Sequence, residues 1–148
     1  LGAGIPRLAL GADVIVGFPG ETDADFDATL SVVDALPFTY LHVFPYSARA
    51  GTEATRLDGQ VEERIIGQRS RRLRDLAREK ATAVRRGMIG DVAHVVLLES
   101  SQESRGRLVG LTGHYVEVVF AGRPREVGAM ARVRLTGVEG ERMTGELV

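Results

Sequence analysis

No cysteine occurs among the 148 residues. That absence removes disulfides, thiolate catalysis, Cys-ligated zinc and any Cys-ligated iron–sulfur cluster from the chemistry this chain can support by itself. His42, His94 and His114 are too scattered to supply a metal-ligand spacing instead, so no metal-binding residue is nominated. No apolar run approaches the ~18–20 residues of a membrane span, and the start carries no signal-peptide pattern. The expected compartment is therefore the cytoplasm, with no membrane partner. No Ser–His–Asp arrangement follows from the spacings, and the carboxylates are too dispersed for an acid–base pair, so no catalytic residue is nominated either. Strong net charge is missing too, the formal balance being −1, but the charges are unevenly spread. Residues 1–60 hold three basic side chains (Arg7, Arg49 and Arg56) against eight acidic ones, whereas residues 61–86 hold nine basic against four acidic. A local basic surplus matters more to nucleic acid than the net value does.

What is present is organised around Asp13-Val-Ile-Val-Gly-Phe-Pro-Gly-Glu-Thr22. Val14, Ile15 and Val16 read as a buried strand, broken by Gly17, Pro19 and Gly20 before a helical pattern begins at Thr22. α/β folds place ligands at such strand–turn–helix junctions. Gly17 and Gly20 would let backbone approach a ligand, and Pro19 stiffens the turn. Thr22 reads as an N-cap, with Asp25 three residues on as its capping-box acid. The turn is not a phosphate loop: it lacks the Lys-Ser/Thr ending, and Asp23 and Asp25 occupy the helix end that an anion would need.

Residues 1–12 read as the continuation of a preceding segment, without an initiator methionine. An amphipathic helix is predicted over 22–35, facing inward with Phe26, Leu30, Val33 and Leu36 and ended by Pro37. A second strand follows over 40–44, stopped by Pro45. Two strands joined through a helix make a βαβ unit, hence a parallel pair with a right-handed crossover. One such unit cannot bury both faces of its strands, so residues 1–60 read as a piece of a larger α/β sheet or barrel. Residues 61–86 form one long helix with inward positions Ile66, Leu73, Leu76, Ala77 and Val84, terminated at Gly87. Its other arginines read as a solvated surface, with phosphate contact the alternative. Beyond residue 90 come five short strand patterns, 91–99, 105–112, 115–121, 129–137 and 143–148, with turn signals between them. Five short strands in about sixty residues suggest a small all-β OB-like barrel.

The first motif, followed by Leu36-Pro-Phe-Thr-Tyr-Leu-His-Val-Phe-Pro-Tyr-Ser-Ala-Arg-Ala-Gly-Thr52, resembles the radical SAM methylthiotransferases that modify tRNA. The likeness is greatest to the branch acting on threonylcarbamoyladenosine (the MtaB-like branch), and the final sixty or so residues resemble that family's TRAM domain. The resemblance implies the fold class α/β, with 1–60 as the C-terminal end of a TIM-like radical SAM barrel. A connecting helix over 61–87 and the TRAM β-barrel over 88–148 complete it. It also implies S-adenosyl-L-methionine as cofactor and tRNA, at the anticodon stem-loop, as partner. Two 4Fe-4S clusters would belong to the full-length enzyme. The cluster cysteines of the family, a Cys-x3-Cys-x2-Cys loop and three more in an N-terminal domain, are absent. The chain therefore reads as the C-terminal part of such an enzyme, expected to be inactive without the N-terminal portion.

Carried over position by position, the resemblance nominates Ile15, Gly17, Gly20, Glu21, Val43, Phe44, Tyr46 and Arg49 for cofactor contact, Arg49 for cofactor or tRNA. The family pattern Gly-x-Ile-x-Gly-x-x-Glu is departed from at Asp13, and Glu21 falls one residue later than usual. Ile15 and Val43 also suit a barrel core, and Glu21 suits fixing the turn through backbone N–H groups. His42 reads as a packed, hydrogen-bonded histidine. In the β segment, Arg105 with Arg107, and Arg132 with Arg134, share strand faces by period two. These four and Tyr115 are the candidate RNA contacts, while Phe120 reads as core. Two alternatives stay open: the same enzyme class acting on isopentenyladenosine or a ribosomal-protein aspartate, and a stand-alone RNA-binding module.

Overall fold

The computed structural model describes residues 8–99, 107–122 and 127–148. It divides into two compact units, Leu10–Ala81 and a second that holds Thr82–Val148.

In the first unit, β1 (Leu10–Val16) and β2 (Phe38–Pro45) pair in parallel, with Ile15 opposite Phe44 and Asp13 opposite His42. α1 (Asp23–Ala35) makes the crossover, and α2 (Glu63–Gly87) follows a single 3-10 turn at Glu53–Arg56. Both helices pack on one face of the strand pair. Phe26, Leu30 and Val33 of α1 and Leu73 of α2 meet Val16, Val43 and the half-buried Leu10, Ala12, Val14 and Leu41. Alternation along the strands turns the next residues the other way, to a second face on which no layer packs among the described residues.

α1 starts as its sequence predicts. Thr22 is the N-cap and its hydroxyl accepts the Asp25 N–H, while the Asp25 carboxylate accepts the Thr22 N–H at 2.9 Å. Leu36 departs from the expectation: it lies beyond the last turn in extended backbone and is exposed, because Pro37 ends the helix before that position can face inward. The Thr22 hydrogen bonds hold the Asp25 carboxyl below its ordinary pKa. The part of the cap that rests on the Asp25 carboxylate is thus present above the unfolded carboxylate pKa and is lost as pH falls through the lower folded value, while the Thr22 oxygen keeps the Asp25 N–H. Thr22→Ala should cost about 1 kcal/mol near neutral pH. Denaturant titrations of both proteins should show that gap narrow on acidification. A gap independent of pH would mean that the Asp25 carboxylate is no part of what Thr22 contributes.

The second unit is a closed barrel of five strands. They are β3 (Val92–Glu99), β4 (Arg107–Thr112), β5 (Glu117–Ala121), β6 (Met130–Glu139) and β7 (Arg142–Leu147). Around the barrel the order is β3-β4-β5-β7-β6, and only the β5–β7 pairing is parallel. This is the OB-like arrangement that five short strands suggested. Phe120, Leu97, Leu135, Met143, Val95, Val118 and Val133 fill it, each at most 2% exposed. So narrow an interior needs glycine at two inward positions. A Cβ on Gly145 would lie 2.3 Å from Val133 Cγ1, and one on Gly110 2.7 Å from Val95 Cγ2.

Candidate functional site

The first candidate site lies at the carboxyl ends of β1 and β2, where parallel strands present ligand-binding turns. Phe18-Pro19-Gly20-Glu21 closes with the Glu21 N–H donating to the Phe18 carbonyl at 2.9 Å. Proline in second place and Gly20 at φ +87° in third make it a type II turn, which needs a positive φ there. No atom lies within 4 Å of the Cβ position on Gly20, so the turn's backbone is open at that point. Gly17, at φ +81°, is needed for a different reason: a Cβ there would sit 2.4 Å from Ile66 of α2.

Glu21 does fix the turn through a backbone N–H, its carboxylate accepting from Gly17 at 2.8 Å. What holds Glu21 is a residue that sequence reasoning passed over. Arg69 of α2 donates to the Glu21 carboxylate at 2.7 Å, to the Glu21 carbonyl at 3.0 Å and to Asp23 at 2.6 Å. Its guanidinium also lies 5.6 Å from the Phe26 ring centroid. The side chain is 8% exposed. Burial opposes its charge, but the carboxylates of Asp23 and Glu21 outweigh burial and raise its pKa above the ordinary arginine value. The available signal was position: Arg69 and Ser70 fall between Ile66 and Leu73 on the inward stripe of α2, where a charge needs partners.

Tyr46, just past β2, donates its N–H to Val16 at 2.8 Å and sets its ring edge-on to Phe18, centroids 5.5 Å apart. Its hydroxyl is buried with no hydrogen-bond partner among the described residues. Gly20 donates to the Gly59 carbonyl at 2.8 Å, which ties the far end of the 47–60 loop to the turn. Arg49 is exposed on that loop, its carbonyl accepting from Thr52, and its guanidinium makes no ion pair among the described residues.

Ile15 and Phe44 stand side by side on the uncovered face of the strands, 56% and 51% exposed. Val43 faces the opposite way, 8% exposed against the helices, and its carbonyl accepts from Arg74 at 3.0 Å. His42 corrects the expectation of a packed histidine. It is exposed on the uncovered face, between Tyr40 and Phe44 at ring distances of 5.5 and 6.4 Å. Gly11 leaves room for the Tyr40 ring, since a Cβ there would lie 1.8 Å from it. The result is a row of rings and one aliphatic side chain beside a glycine turn, suited to binding a planar heterocycle. Among the described residues no group of His, Asp and Glu could hold a metal ion.

Much of the basic surplus in α2 is engaged within the unit: Arg69 as above, Arg74 with Val43, Arg72 with Asp27 at 3.4 Å and Arg78 with Asp75 at 2.5 Å. In the barrel, Arg107 pairs with Glu139 at 2.8 Å, and hydrogen bonding from Arg107 holds the Glu139 carboxyl below its usual pKa. Arg132 and Arg134 share the outer face of β6, exposed and without an ion pair among the described residues. Tyr115 precedes β5 in the turn, 75% exposed at φ 59°. Phe120 is core, 1% exposed. Arg105 lies outside the described residues. Among the described residues no helix is long and apolar enough to cross a membrane.

No protein-family model matches the chain. Curated relatives do. Threonylcarbamoyladenosine tRNA methylthiotransferase MtaB of Bacillus subtilis is 37% identical over 135 residues, 88% of this chain and 30% of the relative. The tRNA-2-methylthio-N(6)-dimethylallyladenosine synthase of Moorella thermoacetica is 36% identical over 144 residues, 97% of this chain and 32% of the relative. The synthase of the same name from Nitrosospira multiformis is 34% identical over 148 residues, 100% of this chain and 31% of its own length. The chain thus spans about a third of the length of the curated relatives it matches. Over nearly its whole length it is a homologue of the MiaB/MtaB-type tRNA methylthiotransferases.

Proposed function

We propose that this chain is the C-terminal part of a tRNA methylthiotransferase of the radical SAM class, acting on N6-threonylcarbamoyladenosine next to the anticodon. The observation that carries this reading is the uncovered face of β1 and β2, a half-exposed apolar and aromatic row ending at an open glycine turn. Further parallel strands of a TIM-like barrel would cover that row, and the adenosine half of S-adenosyl-L-methionine would lie at its carboxyl end. The residues fit such a group. Ile15 and Phe44 offer apolar surface, Gly20 adds no side chain to the turn, and the buried Tyr46 hydroxyl has no hydrogen-bond partner among the described residues.

Bound there, S-adenosyl-L-methionine would supply radical-generating and methyl-donating chemistry together with iron–sulfur clusters. This chain, without cysteine, contributes no thiolate to such clusters and is inactive by itself. Its own part is binding and orientation. Glu21 and Arg69 hold the turn, and the five-stranded barrel holds tRNA through Arg132, Arg134 and Tyr115, with positioning rather than sequence reading as its task. The cytoplasm, where tRNA is modified, is the matching compartment.

Deleting the coding region that carries this chain, then measuring tRNA nucleosides by mass spectrometry, tests the reading. The 2-methylthio derivative of threonylcarbamoyladenosine should disappear while its unmodified precursor accumulates. Loss of the dimethylallyl derivative instead would change the substrate and keep the enzyme class. An unchanged nucleoside profile would sink the enzyme reading.

A further inference from the structure

The barrel carries a cleft that the candidate residues above do not account for. It has a volume of about 290 Å³ and lies where the start of β3, the β4–β5 turn and the residues after α2 meet. Met88, Ala93 and Leu135 give it an apolar floor, and His94 and His114 stand at its walls. The buried Thr112 hydroxyl oxygen accepts the backbone N–H groups of His114 at 3.3 Å and Val116 at 3.1 Å, which fixes the turn bearing His114. Asp91 is the one carboxylate among the lining residues.

The surroundings of this cleft are cationic and aromatic. Arg132 is the cross-strand partner of His94, and Arg134 that of Val92, another lining residue. Arg134 also donates to the Gly90 carbonyl at 3.3 Å, and Glu146 is its register partner on the other side. Tyr115, adjacent to His114, holds its mostly exposed ring from a left-handed backbone. That conformation is uncommon for a bulky residue and persists only where its surroundings hold it. Here the Tyr115 N–H donates to the Thr112 carbonyl at 3.0 Å.

We propose that this cleft binds a single unstacked nucleobase of RNA. A base presents two apolar faces and a polar edge, which matches a hydrocarbon floor between two imidazoles and a carboxylate. The phosphates attached to it match Arg132 and Arg134, whose charges are not neutralised by an ion pair among the described residues, unlike that of Arg107. A duplex cannot use the cleft, because its bases are stacked and paired. The proposal deepens the RNA-binding reading of the barrel and rests on it.

The 148-residue chain is titrated with an RNA hairpin carrying an unpaired loop and, separately, with a blunt RNA duplex of equal length, following the imidazole NMR signals. The hairpin should move both the His94 and the His114 signals, whereas the duplex, held at Arg132 beside His94, should leave His114 unmoved. Gly113→Leu blocks the mouth with little strain, since nothing lies within 4 Å of its Cβ position and its φ is not left-handed. It should weaken hairpin binding about tenfold, the equivalent of losing one stacked base, and leave duplex binding unchanged. Arg132→Glu should weaken both. Hairpin binding with unmoved histidine signals, or undiminished in Gly113→Leu, overturns the base pocket and leaves the RNA-binding reading standing. Absence of binding to either RNA overturns both.

Discussion

Arg69→Ala should destabilise the Leu10–Ala81 unit by about 3 kcal/mol, the low end of what breaking a buried ion pair costs. The low end applies because the two acids differ. Asp23 is 93% exposed and water readily replaces its partner, whereas Glu21 is 13% exposed and would be left with a carboxylate that little water reaches. Glu21 would retain the Gly17 N–H alone, and the turn would lose its tie to α2. Arg69→Lys should recover only part of the loss, since an ammonium cannot span the Glu21 carboxylate, its carbonyl and Asp23 in one planar fork. Adding Glu21→Gln to Arg69→Ala should cost less than the separate effects together, because the charge that needed Arg69 is gone. Chemical denaturation gives these differences, and amide exchange at Gly17 reports the turn directly. A loss under about 1 kcal/mol with Gly17 still protected would show that Ile66 packing alone shapes the turn.

Arg69 also marks where sequence reasoning stopped. The capping box at Thr22 and Asp25 and the inward spacing of Phe26, Leu30 and Val33 are local, and local patterns determine a helix start and its buried face. The five barrel strands were legible for the same reason, alternation broken by turns. Closure of the barrel through a parallel β5–β7 pair depends on long-range pairing that no window of sequence contains. Arg69 escaped because a helical arginine is ordinarily solvated, and its partners lie 46 and 48 positions earlier. His42 shows the converse. Its strand was legible, but its exposure follows from which layers cover the sheet, and the described layers all pack on the other face. In the barrel, Arg132 and Arg134 were paired on one face by period two, yet their place opposite His94 and Val92, two residues that line the cleft, needed the register of β3 against β6.

Phe120→Ala should cost about 3–5 kcal/mol, toward the upper end of that range. Phe120 is 1% exposed and lies opposite Leu108 on β4 and Gly145 on β7, so its ring is enclosed by wall on both sides. How much a cavity costs depends on whether the walls can move in. In a closed barrel every strand is hydrogen-bonded on both edges, and drawing one wall inward would break ladder bonds on its flanks. The glycines cannot be used to refill the space either: an added Cβ at Gly110 would come within 2.9 Å of two Val95 carbons. Phe120→Leu keeps most of the volume and should lose less than half as much as alanine. Val127→Ala, at a position 68% exposed, should change stability by less than about 0.5 kcal/mol. A typical domain has only about 5–15 kcal/mol in hand, so the alanine variant populates unfolded barrel measurably. Amide exchange along β5 and β7 reads this loss. On the proposed RNA-binding reading, affinity should fall in the same proportion as the folded fraction, because only the folded barrel forms the cleft, although Leu135 belongs to both core and cleft. An affinity that falls further than the folded fraction would mean that packing at Phe120 also sets the shape of the cleft.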